Sequence, residues 1–114
     1  MHLQIDVDRR SGVTVLSPYG EIDFATGPRL RESITENLVA GRVNLVVDLL
    51  GVEFIESTGL GALIGGRRRA EALNGSLSLV CGEDQLLEVF RITGLDKVFA
   101  IYASVDDAVA RQVA

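Results

Sequence analysis

Ser57 and Thr58 stand at the head of a glycine-rich run, EFIESTGLGALIGGRRR (53–69), directly after the acid Glu56. A hydroxyl at the entrance of a helix lies beside free backbone N–H groups and the positive end of the helix dipole, an environment that tolerates a phosphate. The position suits a phosphoswitch, although serine and threonine there also serve as plain N-caps. Gly59, Gly61, Gly65 and Gly66 then fall within eight residues. Glycine costs about 1 kcal/mol relative to alanine in an exposed helix interior, so something other than helix propensity must favour them. Close packing against the protein's own sheet would do so, as would a surface that receives another protein's backbone.

Other chemistry has little material. His2 is the only histidine and lies at a chain end, which leaves Ser-His-Asp and Cys-His catalysis and histidine-based metal sites without a base or ligand. The carboxylates read as solvated surface acids, so the chain is not read as an enzyme and no cofactor or metal is expected. One pattern points elsewhere: Gly59-Leu60-Gly61-Ala62-Leu63-Ile64-Gly65 follows a strand and opens a helix, with Glu83 after the next strand, where a ribose-binding acid would lie. In a dinucleotide site, however, glycines occupy the strand-to-helix turn itself. Here Glu56, Ser57 and Thr58 hold that place.

The composition narrows the partners. Eleven basic and sixteen acidic residues give a net charge of −5, which disfavours direct nucleic-acid binding, and the one basic cluster, Arg67 to Arg69, reads as a solvated helix face. Nearly half the residues are hydrophobic, yet no run reaches the roughly 18 apolar residues of a membrane span. The opening MHLQIDVDRR alternates like a strand and lacks the zones of a signal peptide. Cys81 is the sole cysteine, read as a small buried apolar residue in a reducing compartment. The expectation is a cytoplasmic protein without membrane contact, with residues 1–114 forming one domain.

The elements that must position Ser57 follow from periodicity. LQIDVD (3–8) and GVTVLSPYGEID (12–23) alternate with period two around a Ser11-Gly12 turn, an antiparallel pair. Leu30, Ile34 and Leu38 mark an amphipathic helix with Pro28 near its start and Gly41 beyond its end. VNLVVDL (43–49) reads as a strand buried on both faces. A helix from Ser57 or Thr58 to Asn74-Gly75 places Leu60, Leu63, Ala70 and Leu73 on one side. SLSLVCG (76–82) is a strand, EDQLLEVFRITG (83–94) a helix and KVFAIY (97–102) the last strand. The closing helix opens on Ser104-Val105-Asp106-Asp107, the spacing of a capping box, and repeats Val105, Ala108, Val109 and Val113. Strands joined through helices should run parallel, with the opening hairpin as an antiparallel edge.

GEIDFATGPRL, LVVDL, FIESTGLGALIGG, GSLSLVCG and FRITGLDKVF, in that order and spacing, resemble the anti-sigma factor antagonist family of single-domain STAS proteins, particularly its actinobacterial members. The resemblance runs from about Leu3 to Val109. It implies an α/β fold: a mixed four- or five-stranded sheet with an N-terminal antiparallel hairpin, packed with about four helices. It also implies partner switching in transcription regulation of the stress-response kind. The unphosphorylated protein binds an anti-sigma factor that is a serine kinase and so frees a sigma factor; the kinase phosphorylates the serine, the complex dissociates, and a PP2C-like phosphatase resets the switch. Ser57 matches the phosphoacceptor, Thr58 the neighbouring hydroxyl and Asp23 a family acid near it. The partner surface would comprise Asp23, Glu56, Ser57, Thr58, Gly59, Leu60 and Gly61, on a protein that is a monomer when free. One departure stands out: Glu56 occupies a place where the family usually has aspartate, so its carboxylate lies one methylene further out. The alternative reading is a nucleotide-binding STAS module of a sensory or transport complex, with Gly59 to Gly65 against a phosphate.

Overall fold

The computed structural model describes residues 3–82 and 85–113, so His2 and Glu83 lie outside the described residues. Strand β1 (Gln4–Arg10) pairs antiparallel with β2 (Val13–Ile22), in register from Gln4 opposite Tyr19 to Arg10 opposite Val13. Ser11 and Gly12 both take positive φ, 56° and 82°, the paired left-handed conformation of a tight hairpin turn.

Helix α1 (Gly27–Val39) follows, then β3 (Asn44–Asp48), β4 (Val52–Ile55), α2 (Ser57–Ala72), β5 (Ser76–Val80), α3 (Gln85–Ile92), a 3-10 turn (Leu95–Lys97), β6 (Ile101–Tyr102) and α4 (Val105–Val113). The sheet runs β1-β2-β3-β5-β6, parallel everywhere except in the opening hairpin. This is the mixed α/β sheet with four helices that the sequence predicts, extended by a sixth strand. That strand, β4, lies off the main path and pairs parallel with the far half of β2.

Alternation along the strands sorts the core into two layers. Leu16, Leu45, Val47 and Leu79 point to one face, where α1 and α2 cover them with Leu30, Ile34, Leu38 and Leu63. Each such side chain, when fully buried, contributes roughly 1.5–3 kcal/mol. Val13, Val15, Val46 and Val80 point to the other face, under Ala108 and Val109 of α4. Thus the Leu30, Ile34 and Leu38 stripe is buried as its spacing requires. So is Cys81, which forms no disulfide.

Two boundaries differ from the sequence reading. Helix α2 ends at Ala72, and Leu73 is half-exposed instead of sharing the buried side. Asn74 takes the left-handed turn (φ 62°), while Gly75 is required by space, since a Cβ there would lie 2.0 Å from the Val43 carbonyl oxygen. KVFAIY contributes only two strand residues, because the chain before them is a 3-10 turn that drops Phe99 into the core edge-on to Phe90. Ser104 does cap α4, accepting the Asp107 N–H at 3.1 Å, and the Val113 side chain lies outside the described residues.

Candidate functional site at the head of helix α2

Strand β4 is the element that builds this site. Leu49 and Val52 close a tight turn after β3, and Gly51 passes so near the Tyr19 ring that a Cβ would lie 2.5 Å from it. The chain then runs alongside the end of β2, with Phe54 beside Glu21 and Ile55 beside Ile22, and the ladder's last bond joins the Glu56 N–H to the Ile22 carbonyl at 3.0 Å. Two segments 32 residues apart, Asp23-Phe24 and Glu56-Ser57, therefore leave the sheet side by side.

Glu56 is the N-cap residue of α2, in extended conformation, and Ser57 is the first helical residue. A cap role for Ser57 is thereby removed. Its side chain is exposed, and among the described residues the hydroxyl has no protein hydrogen-bond partner. Glu56 makes no side-chain cap bond either. Its Oε1 instead accepts the backbone N–H of Phe24 at 2.5 Å, across the gap between the two segments. The first N–H groups of α2 are left without a side-chain acceptor, so the positive end of the dipole is unscreened next to the free hydroxyl.

Asp23 organises the other segment. Its Oδ1 accepts the N–H of Ala25 at 2.9 Å and of Thr26 at 3.0 Å, while Thr26 Oγ1 accepts the Asp23 N–H at 2.9 Å. The N–H of Thr26, aided by those of Ala25 and the Thr26 hydroxyl, holds the Asp23 carboxyl below its usual range, against a smaller opposing effect of burial. Asp23 thus shapes the loop that leads into α1. Pro28 follows directly inside the helix, where its fixed φ is already helical.

The two hydroxyls are not equivalent. Thr58 is half-buried, and its methyl group packs where a Cβ on Gly27 would lie 2.6 Å away, locking α2 to the start of α1. Ser57 is the accessible one.

The glycines divide in the same manner. Gly59 is buried, and a Cβ on it would meet Ile22 Cγ2 at 2.5 Å and Ile55 Cγ1 at 2.8 Å; one on Gly66 would meet Ile34 Cγ2 at 2.9 Å. These two let α2 approach the core. Gly59, expected on a partner surface, is therefore buried beneath the head of α2 and not exposed on it, and Leu60 is packed against the core on one side. Gly61 and Gly65 have open space where a Cβ would be, with nothing within 4 Å apart from their chain neighbours and the adjoining backbone of α2 itself. With Ser57 they form an i, i+4, i+8 stripe on the outer face of the helix. The glycines lie inside the helix and not in the strand-to-helix turn, so the turn is not a glycine cradle for a nucleotide phosphate.

Of the arginine triplet, Arg67 pairs with Glu71 at 3.1 Å and Arg69 reaches Thr35 Oγ1 at 2.6 Å and the Gly65 carbonyl, while Arg68 is exposed. Among the described residues no helix is long and apolar enough to cross a membrane, and no three His, Cys, Asp or Glu side chains group as a metal site.

A family model described as the STAS domain matches residues 4–108. The anti-sigma-B factor antagonist of Bacillus subtilis (strain 168) is 31% identical over 109 residues, covering 96% of this chain and 99% of that protein. The anti-sigma-F factor antagonist RsfB of Mycobacterium tuberculosis (strain ATCC 25618 / H37Rv) is 33% identical over 108 residues, covering 93% and 86%. Among solved structures, an anti-sigma factor antagonist from Mycobacterium paratuberculosis superposes with a TM-score of 0.90 at 32% identity, over 99% of this chain and 96% of that one. The phosphorylated form of SpoIIAA from Bacillus shares the fold at a TM-score of 0.72 and 22% identity, over 96% and 98%.

Proposed function

The chain belongs to the STAS domain family, and from that membership we propose that it is an anti-sigma factor antagonist whose binding is switched by phosphorylation of Ser57. It is a regulator and a substrate of modification, not a catalyst, in keeping with relatives that are named as antagonists. Its partner in this reading is an anti-sigma factor with serine-kinase activity. The unphosphorylated form sequesters that partner and frees a sigma factor, and a PP2C-like phosphatase restores the binding form. The whole chain acts as one module.

The observation that carries the reading is the accessible, unbonded Ser57 hydroxyl at the head of α2, next to the open Gly61 and Gly65 face. A phosphate at Ser57 adds about −1.5 to −2 charges next to Glu56, on a protein already at −5. Like charges set against each other at an interface cost several kcal/mol. Taking about 3 kcal/mol, affinity falls by roughly a hundredfold, enough to release a partner. The same phosphate fills the flat surface that α2 presents.

The test is a pull-down from native cell extract with wild-type, Ser57→Ala and Ser57→Glu baits, identifying retained proteins by mass spectrometry. A kinase-type anti-sigma factor held by the wild type and Ser57→Ala but lost on Ser57→Glu is the expected result. Equal retention on all three baits would remove phosphorylation as the control. Phosphosite mapping after incubation with that kinase and ATP should place the modification on Ser57 and not on Thr58.

A further inference from the structure

We propose that Phe24 is an apolar anchor for the partner and that Glu56 is its positioning residue, a latch that a phosphate on Ser57 opens. The proposal rests on the antagonist reading above and names how that same site is regulated. Phe24 is 80% exposed, the most exposed aromatic side chain among the described residues. Its backbone is nonetheless held: the N–H groups of residues 23, 24, 25 and 26 are all bonded, to Thr26 Oγ1, Glu56 Oε1 and Asp23 Oδ1. Such a ring is presented to solvent by a loop fixed at every step. A backbone ordered in advance leaves only the ring's own two torsions to be fixed on docking, which lowers the entropy cost of using it as an anchor.

Glu56 supplies the one bond in this set that comes from outside the loop. Its carboxylate spans from the head of α2 to the Phe24 N–H, leaving its own helix uncapped. A shorter aspartate in this place is suited to capping the helix behind it, so the extra methylene is what lets the carboxylate reach the loop. A phosphate on Ser57 sets two nearly full negative charges one residue from the held carboxylate. Repulsion drives the carboxylate off the Phe24 N–H, and the loop loses its outside support at the moment the interface acquires its charge. The occupant of the anchor is an apolar pocket on the anti-sigma factor beside the segment that engages Ser57.

Two readouts separate this proposal from the reading it rests on. The first needs no partner: the Phe24 amide in nitrogen-proton correlation spectra. In the wild type it should be shifted downfield and exchange slowly; in Glu56→Asp and Ser57→Glu it should move upfield and exchange faster. Glu56→Gln keeps an oxygen acceptor without the charge, so Glu56→Gln/Ser57→Glu should retain the wild-type signature. An amide unmoved by Glu56→Asp and by Ser57→Glu overturns the latch. The second is affinity of the unphosphorylated chain for the purified anti-sigma factor, where Phe24→Ala should weaken binding by about thirtyfold, the scale of an interface hot spot. Wild-type affinity in Phe24→Ala together with release by Ser57→Glu overturns the anchor and leaves the antagonist reading standing. Equal binding by wild type and Ser57→Glu, with loss on Phe24→Ala, keeps the anchor and removes phosphorylation of Ser57 as its control, overturning the switch in the reading above together with the latch.

Discussion

Gly27 and Thr58 meet with no room for a methyl group between them: a Cβ on Gly27 would lie 2.6 Å from Thr58 Cγ2 and 3.0 Å from its Cβ. The first residue of α1 and the second of α2 are thus packed backbone to side chain, which fixes the two helix heads on either side of the site. Gly27→Ala forces one to move and should destabilise the protein by about 1–3 kcal/mol, the usual range for an overpacked contact. Thr58→Ser removes the nearer of the two atoms. The double variant Gly27→Ala/Thr58→Ser should therefore unfold at higher urea than Gly27→Ala alone, and additive losses would place the strain elsewhere.

Gly61 and Gly65 should respond with the opposite sign to Gly59. Beyond the adjoining turns of α2 itself, no heavy atom waits within 4 Å of a Cβ at either position, whereas Gly59 faces Ile22 and Ile55. Gly61→Ala and Gly65→Ala are expected to stabilise by up to about 1 kcal/mol each through helix propensity, and Gly59→Ala to destabilise. If the outer face of α2 receives a partner's backbone, the stabilised variants should also bind the anti-sigma factor more weakly. Greater stability with unchanged affinity would show that the stripe is not part of the contact.

The Asp23 carboxyl is held below its usual value of 3.8 in the folded protein, chiefly by the Thr26 N–H. A group whose folded pKa is depressed lends stability above its unfolded pKa, and that stability is lost as pH falls through the folded value. The stability difference between wild type and Asp23→Asn should accordingly be constant above about pH 5 and shrink as the solution is acidified below the ordinary carboxylate range. Urea midpoints measured down the acid limb for both proteins give the comparison. A gap that persists to the lowest pH would assign the Asp23 contribution to shape and not to charge.

How much of this was legible depended on whether a signal is local. Leu30, Ile34 and Leu38 announce α1 by spacing alone, and Ser11-Gly12 and Ser104 announce a turn and a cap by residue type; all three features stand in the fold. The glycines could have been divided beforehand: Gly59, Ala62, Leu63, Gly66 and Ala70 share the buried stripe of α2, and Gly61 and Gly65 lie off it. Strand β4 is not legible as an element of its own, because four residues with only Val52 and Ile55 buried carry no clear period. KVFAIY read as a strand by composition, although tertiary packing of Phe99 claims most of it for a turn. The hydrogen bond from Phe24 to Glu56 links residues 32 apart and depends on β4 for its geometry. No periodicity reports such a bond, so the part of the site that depends on it had to be seen.

Gln112 is the counterpart of that bond on the opposite face of the sheet. Its Nε2 donates to the Leu45 carbonyl at 2.8 Å and to Ser78 Oγ at 2.9 Å, and its Oε1 accepts from Ser76 Oγ at 2.8 Å. One amide side chain thereby ties the end of α4 to β3 and β5 beside the second apolar cluster. Ser78 is only 5% exposed, so truncating Gln112 strands its hydroxyl among apolar neighbours, where an unmade hydrogen bond costs about 1–3 kcal/mol. Gln112→Ala should lower the free energy of unfolding by that amount, read from urea titrations. Removing the stranded hydroxyl as well, in Gln112→Ala/Ser78→Ala, should return part of the loss, and affinity for the anti-sigma factor should be unchanged in both, since α4 covers the face away from Ser57. A Gln112→Ala protein as stable as wild type would mean that α4 is held by its apolar contacts with Val46 and Val80 and not by this amide.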